Sequence, residues 1–208
     1  IAYAQEKGGG RLVFFDERLR GMYERRKYVL EQVRRGLEEE SFEVYYQPVF
    51  SVKEGRFTTA ESLLRLFDEN GVLISPGEFI PLAEKNGLID EISWLVLKKV
   101  CQFIGEHPAL PLDSVSINMS IQQLTDRNFA RRVHSCQAQY GVPSGKLRFE
   151  ITERTVSEKP ALVNAVMAQL AAEGICFYLD DFGVGYSNLA SMINLPFETV
   201  KLDASLLQ

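Results

Sequence analysis

The chain is poor in the residues that build stapled or zinc-dependent proteins. Its 208 residues include three cysteines, Cys101, Cys136 and Cys176, which lie far apart and form no CxxC pair. That pattern argues against a disulfide framework or a zinc ribbon and fits a reducing cytoplasm. All three are expected as small buried or half-buried residues. Histidine is scarcer still. Only His107 and His134 occur, both expected on the surface, which argues against a histidine-rich zinc site and a nucleophilic triad. No apolar run is long enough to span a bilayer and no signal peptide or low-complexity tract is present. The chain itself is therefore expected to make no membrane contact, whatever anchor a parent protein carries. A surplus of positive charge is also lacking. The formal net charge is -5, so attraction to polymeric nucleic acid is not expected.

What is there reads as an ordinary globule, 46% hydrophobic and 25% charged, long enough for one sizeable core. Ile1 is not a natural start residue, and the chain reads as part of a longer one. Ile1 to Lys7 suits the end of a helix stopped by Gly8-Gly9-Gly10, and Arg11 to Phe15 a short strand closed by Asp16. From Glu17 to Glu40, Leu19, Tyr23, Leu30, Val33 and Leu37 recur at roughly helical spacing. Arg25, Arg26, Arg34 and Arg35 fit a solvated helix face.

Strands and helices alternate thereafter. Strands are expected at Val44–Val49, Phe57–Leu66, Val115–Ser120, Leu147–Thr152, Ile175–Leu179 and Thr199–Leu202. Helices are expected from Pro76 to Ala83, Glu91 to Ile104, Gln122 to Gln139 and Pro160 to Glu173, with a short one at Ser187–Ile193. Repeated strand–helix units imply an α/β fold with a largely parallel sheet. Periodicity alone leaves both a doubly wound open sheet and a barrel standing.

Several of these strands carry a polar residue on one face near the C-terminal end. Asn118 opposes Val115, Ile117 and Met119. Glu150 opposes Leu147, Phe149 and Ile151. Asp180 opposes Phe177 and Leu179, and Lys201 opposes Val200 and Leu202. Glu61 falls near the end of its strand. A parallel strand is normally apolar on both faces, and an unpaired buried charge costs several kcal/mol. These groups must therefore converge. In a barrel they would meet at the C-terminal mouth, where barrel enzymes place their active sites. Glu61, Asn118, Glu150, Asp180 and Asp181 offer only oxygen ligands, which suit Mg²⁺ or Mn²⁺, and adjacent aspartates in one loop can serve two metals. Gly183-Val184-Gly185-Tyr186-Ser187-Asn188 lacks a P-loop lysine and a third fingerprint glycine. It is expected as an active-site loop.

Motifs along the chain then carry a resemblance. Tyr46-Gln47-Pro48, Glu61-Ser62-Leu63-Leu64-Arg65, Ser75 to Glu84, Asn118-Met119-Ser120, Phe149-Glu150-Ile151-Thr152-Glu153, Asp180-Asp181-Phe182-Gly183, Gly185-Tyr186-Ser187-Asn188-Leu189 and Val200-Lys201-Leu202-Asp203 occur in this order. Together they resemble EAL domains. The resemblance implies a TIM-like (β/α) barrel with an antiparallel first strand, and hydrolysis of cyclic-di-GMP to linear pGpG. A catalytically inactive cyclic-di-GMP receptor is the alternative within the family. It implies Glu61, Asn118, Glu150, Asp180 and Asp181 as ligands of a two-metal site holding Mg²⁺ or Mn²⁺. Lys201 matches the lysine that serves the attacking water. Gln47, Leu63 and Arg65 match substrate-binding positions, and Glu153 the glutamate that holds the loop after the aspartates.

Residues 1–16 resemble the tail of a GGDEF domain, 17–40 a connecting helix, and 41–208 the EAL domain, with an upstream GGDEF domain expected in the parent. A homodimer and a cytoplasmic location are further expectations. Two departures stand out. Ser62 replaces the alanine of the family signature, and Val184 a threonine or serine. From Phe42 to Gln208 the chain is also shorter than the about 250 residues typical of such barrels, so the last two βα units are expected to be missing.

Overall fold

A computed structural model describes residues 16–158, 160–183 and 195–207. The strand expected at Arg11–Phe15, the helix expected at Ser187–Ile193 and the GGDEF-like tail up to Phe15 lie outside the described residues.

The first element is α1 (Glu17–Glu38), whose N-terminus is capped by the Asp16 side chain accepting the Leu19 N–H at 2.8 Å. It packs on the elements that follow. Val29 and Val33 are fully buried, and Gly36 packs so closely on the following segment that a Cβ there would lie 2.8 Å from the Phe42 ring. The flank is tied by Arg25 to Glu78, Tyr28 to Asp68 and Arg35 to Glu69.

The sheet comprises β1 (Glu43–Ser51), β2 (Arg56–Phe67), β3 (Leu73–Ile74), β4 (Ser114–Asn118), β5 (Leu147–Thr152), β6 (Phe177–Phe182) and β7 (Phe197–Leu202). Its order is β1-β2-β4-β5-β6-β7, with β3 attached to β2. β1 runs antiparallel to β2, and β2, β4, β5, β6 and β7 run parallel. The antiparallel first strand agrees with the expected barrel. Among the described residues β1 and β7 are the two edges, so the wall is a partial barrel.

The helices are α2 (Pro76–Lys85), α3 (Ile89–Glu106), α4 (Ile121–Leu124), α5 (Phe129–Tyr140), α6 (Glu153–Glu158) and α7 (Pro160–Ala172), followed by a 3₁₀ turn at Ala204–Leu207. Their layer covers the outer face of the sheet. Phe149, Ile151, Phe177 and Leu179 are all buried there, and Phe149 meets Phe129 of α5 edge-on at 5.0 Å. Period-two alternation then commits the intervening residues to the inner face.

Three expectations need correction. The helix expected over Gln122–Gln139 is two helices. Ser120 caps α4 reciprocally with Gln123, and the Asp126 side chain accepts the Asn128 N–H at 2.9 Å in the break before α5. Asp180 and Asp181 lie within β6, not in a loop. Glu61 sits mid-strand, because β2 starts at Arg56 and runs on to Phe67.

The three cysteines are free, with Cys101 buried, as the composition led one to expect. Among the described residues no helix is long and apolar enough to cross a membrane.

Helices α3 and α5 touch backbone to backbone at Gly105, where an added Cβ would collide with the Tyr140 carbonyl oxygen. Alanine in place of glycine normally favours a helix by about 1 kcal/mol, but overpacking costs about 1–3 kcal/mol. Since the obstacle is backbone, the clash wins. Gly105→Ala is expected to destabilise by about 2 kcal/mol, read as a lower urea midpoint at unchanged slope. A higher midpoint would show that the helices can part freely.

Candidate functional site

The inner face gathers the polar residues. Across the register Gln47 faces Glu61, Glu61 lies beside Ser116, Asn118 beside Glu150, and Thr152 beside Asp180. Lys201 of β7 closes the group. Its Nζ donates to Glu61 Oε2 at 2.7 Å and to Glu150 Oε2 at 2.8 Å, and lies 3.3 Å from Asp180 Oδ1. The Glu150 side chain is 1% exposed and that of Lys201 29%. Asn118 Nδ2 donates to Glu61 Oε1 at 3.4 Å.

The electrostatics follow from this crowding. Burial pushes the Glu150 carboxyl up, opposed by the hydrogen bonds from Lys201 and Ser116. Burial alone would lower Lys201, but its hydrogen bonds to Glu150 and Glu61 outweigh it and hold the ammonium above its ordinary value. Three carboxylates thus face one cation, and further positive charge is favoured. Glu61, Glu150 and Asp180 each present an oxygen within 4.8 Å of the others. The donors are hard oxygens, so the residues present fit a metal ion.

Asp181 stands apart from that trio. Its φ of 55° is left-handed and breaks the strand alternation. The side chain is exposed at the rim, its carboxyl pushed up by partial burial and by the neighbouring Asp180 and Asp203.

Glu153, the first residue of α6, is 3% exposed, and its Oε2 accepts the Gly183 N–H at 2.6 Å. Gly183 has φ 103° and has Leu206 where a Cβ would project, a place only glycine fills without strain. The backbone leaving the two aspartates is therefore pinned. Val184 lies outside the described residues.

Gln47, Leu63 and Arg65 lie outside the acidic cluster, on the inner face formed by β1 and β2. Gln47 is exposed and Leu63 half-buried. Arg65 Nη1 donates to the Leu64 carbonyl at 2.9 Å, and its guanidinium carbon lies 5.5 Å from the centre of the Tyr45 ring. Two residues of this surface went unpredicted: Tyr45, which faces Leu63, and Ser116, beneath Glu150. Both carry the same period-two signal, Tyr45 with Gln47 and Ser116 with Asn118.

Comparison with known proteins agrees with this arrangement. The EAL domain matches residues 30–208, starting inside α1. The biofilm architecture maintenance protein MbaA of Vibrio cholerae is 31% identical over 202 residues, covering 96% of this chain and 25% of MbaA. The bifunctional diguanylate cyclase/cyclic di-GMP phosphodiesterase MucR of Pseudomonas aeruginosa is 29% identical over 206 residues, covering 97% of this chain and 30% of MucR. The chain thus spans less than a third of the length of these curated relatives. Among solved structures, the PaMucR phosphodiesterase in complex with c-di-GMP superimposes with a TM-score of 0.79 at 30% identity, over 86% of this chain and 74% of that one. With the profile covering most of its length and the barrel wall in common, the chain belongs to the EAL domain family.

Proposed function

We propose that the protein hydrolyses cyclic-di-GMP to linear pGpG with Mg²⁺ or Mn²⁺, in bacterial second-messenger signalling. The observation that carries this is the cluster in which Glu61, Glu150 and Asp180 converge on Lys201 at the inner face of the wall. Glu61, Asn118, Glu150, Asp180 and Asp181 are the residues that would hold metal in a two-metal site. Such ions, when bound, lower the pKa of water and offset charge on the phosphate. Lys201 supplies a fixed ammonium that orients a water by hydrogen bonding. Arg65 offers a forked cation suited to a phosphate oxygen pair, with Gln47 and Leu63 beside it and the Tyr45 ring as a flat apolar wall. Glu153 acts at a distance from the reacting atoms, by fixing the backbone at Gly183.

The same reading assigns residues 1–16 to the end of a GGDEF domain, 17–40 to a linking helix and 41–208 to the EAL domain, in a cytoplasmic, dimer-forming parent with an upstream GGDEF domain. The burial of Val29 and Val33 supports a linking helix that also packs on the barrel.

The protein incubated with cyclic-di-GMP and MnCl₂ or MgCl₂ is expected to release pGpG, measured by chromatography. EDTA should stop the reaction and excess metal restore it. Calorimetric binding of cyclic-di-GMP without any pGpG, in either metal, would replace the hydrolase with a receptor. The retention of Glu61, Glu150, Asp180 and Asp181 favours the hydrolase.

A further inference from the structure

Two thiols that the site does not use lie on facing helices. Cys101 belongs to α3 and is fully buried, whereas Cys136 of α5 is half-buried. Cys136 Sγ is 4.0 Å from the carbonyl oxygen of Leu97, one helical turn before Cys101. That turn places the two thiols near enough to couple electrostatically across the interface. Cys136 also lines a groove of about 340 Å³ together with Trp94, Lys98, Arg132 and Tyr140, and Cys101 does not. One thiol is therefore open to a small solute while the other waits behind it.

The contact also separates their ionisation. The Cys101 thiol and the Lys98 charge lower Cys136, whereas hydrogen bonding to Cys136 and burial raise Cys101. A thiolate is the nucleophile in thiol oxidation. Because the groove reaches Cys136 and not Cys101, Cys136 is the attacking sulfur and Cys101 the resolving one.

We propose that Cys101 and Cys136 form a reversible redox pair that hydroperoxides oxidise to an intramolecular disulfide joining α3 to α5. The Cys136 thiolate attacks one oxygen of hydrogen peroxide. The O–O bond breaks, leaving a sulfenic acid on Cys136 and hydroxide, which takes a proton to become water. The Cys101 sulfur then attacks Cys136 Sγ. The S–O bond breaks, the S–S bond forms, and a second water leaves with the Cys101 proton. Two thiols lose two electrons and two protons, and one peroxide becomes two waters. Cys136 Sγ already lies against the helical turn that leads to Cys101, and the bond requires the sulfurs to close to the about 2.05 Å of a disulfide. In a reducing compartment such a bond is transient, as expected of a sensor.

Cys176 serves as the internal control. It sits before β6, where Sγ lies 3.9 Å from the Gly174 carbonyl oxygen. The protein is treated with hydrogen peroxide, quenched with catalase, denatured, alkylated and mapped by mass spectrometry without reduction. Alkylatable thiols are expected to fall from three to one, with a peptide linking Cys101 to Cys136, and dithiothreitol should restore all three. Cys101→Ala should instead accumulate a sulfenic acid at Cys136, trapped by dimedone. Three alkylatable thiols after peroxide, or a link through Cys176 or between two chains, would overturn the proposal. The wild-type map decides even if the variant folds poorly.

Discussion

Replacing Lys201 by methionine is expected to cost the metal-free protein about 3 kcal/mol and to cut cyclic-di-GMP turnover roughly 10³-fold. Methionine keeps most of the apolar stem but removes the only cation that Glu61, Glu150 and Asp180 share among the ion pairs described. Removing one partner of a buried pair typically costs about 3–5 kcal/mol. The low end applies because Lys201 is 29% exposed and water screens part of the charge. In EDTA the melting temperature should drop by about 6–12 °C for a chain of this size. Three carboxylates without a counter-charge should also welcome divalent ions. Mg²⁺ or Mn²⁺ should therefore raise the melting temperature of Lys201→Met more than that of the parent. Equal melting temperatures in EDTA would mean that Lys201 does not compensate the cluster.

Glu150→Gln should lose turnover as severely, again roughly 10³-fold, while stability moves the other way. Glu150 is the most deeply buried carboxylate of the cluster, and burial already works against its charge. Glutamine keeps the shape and removes one of the three negative charges opposing a single ammonium. The metal-free variant is expected to be as stable as the parent, or more stable by up to about 1 kcal/mol, yet to gain little from added metal. The two substitutions thus form a pair: both silence hydrolysis, but their melting temperatures in EDTA part in opposite directions. A Glu150→Gln protein that hydrolyses cyclic-di-GMP normally would remove Glu150 from the chemistry.

The inner face was legible in the sequence because alternation is local. Asn118, Glu150, Asp180 and Lys201 each oppose apolar neighbours within their own strand, and the outer layer of Phe149, Ile151, Phe177 and Leu179 fixes which face is which. What alternation does not carry is partnership. Lys201 and Glu61 are 140 residues apart, so their ion pair depends on strand order, which alternation leaves open. Asp181 was named as a ligand, but its place at the rim escaped, because one left-handed residue breaks the period from within the strand. The break between α4 and α5 escaped for another reason. The Ser120 and Asp126 side chains accept the Gln123 and Asn128 backbone N–H groups, and a helical apolar spacing continued across them. The two-residue β3 offered too little sequence for any pattern.

The packing of α1 bears on where this protein can be cut. A chain trimmed to begin at β1 would keep every residue of the acidic cluster but lose Val29, Val33 and Phe42 from the core, uncovering Leu66 and Phe79, each at most 1% exposed. It would also lose the polar ties to Asp68 and Glu69, the turn that follows the strand bearing Glu61 and Arg65. A border that keeps α1 and its cap must include Asp16, and so cannot be set at the first strand.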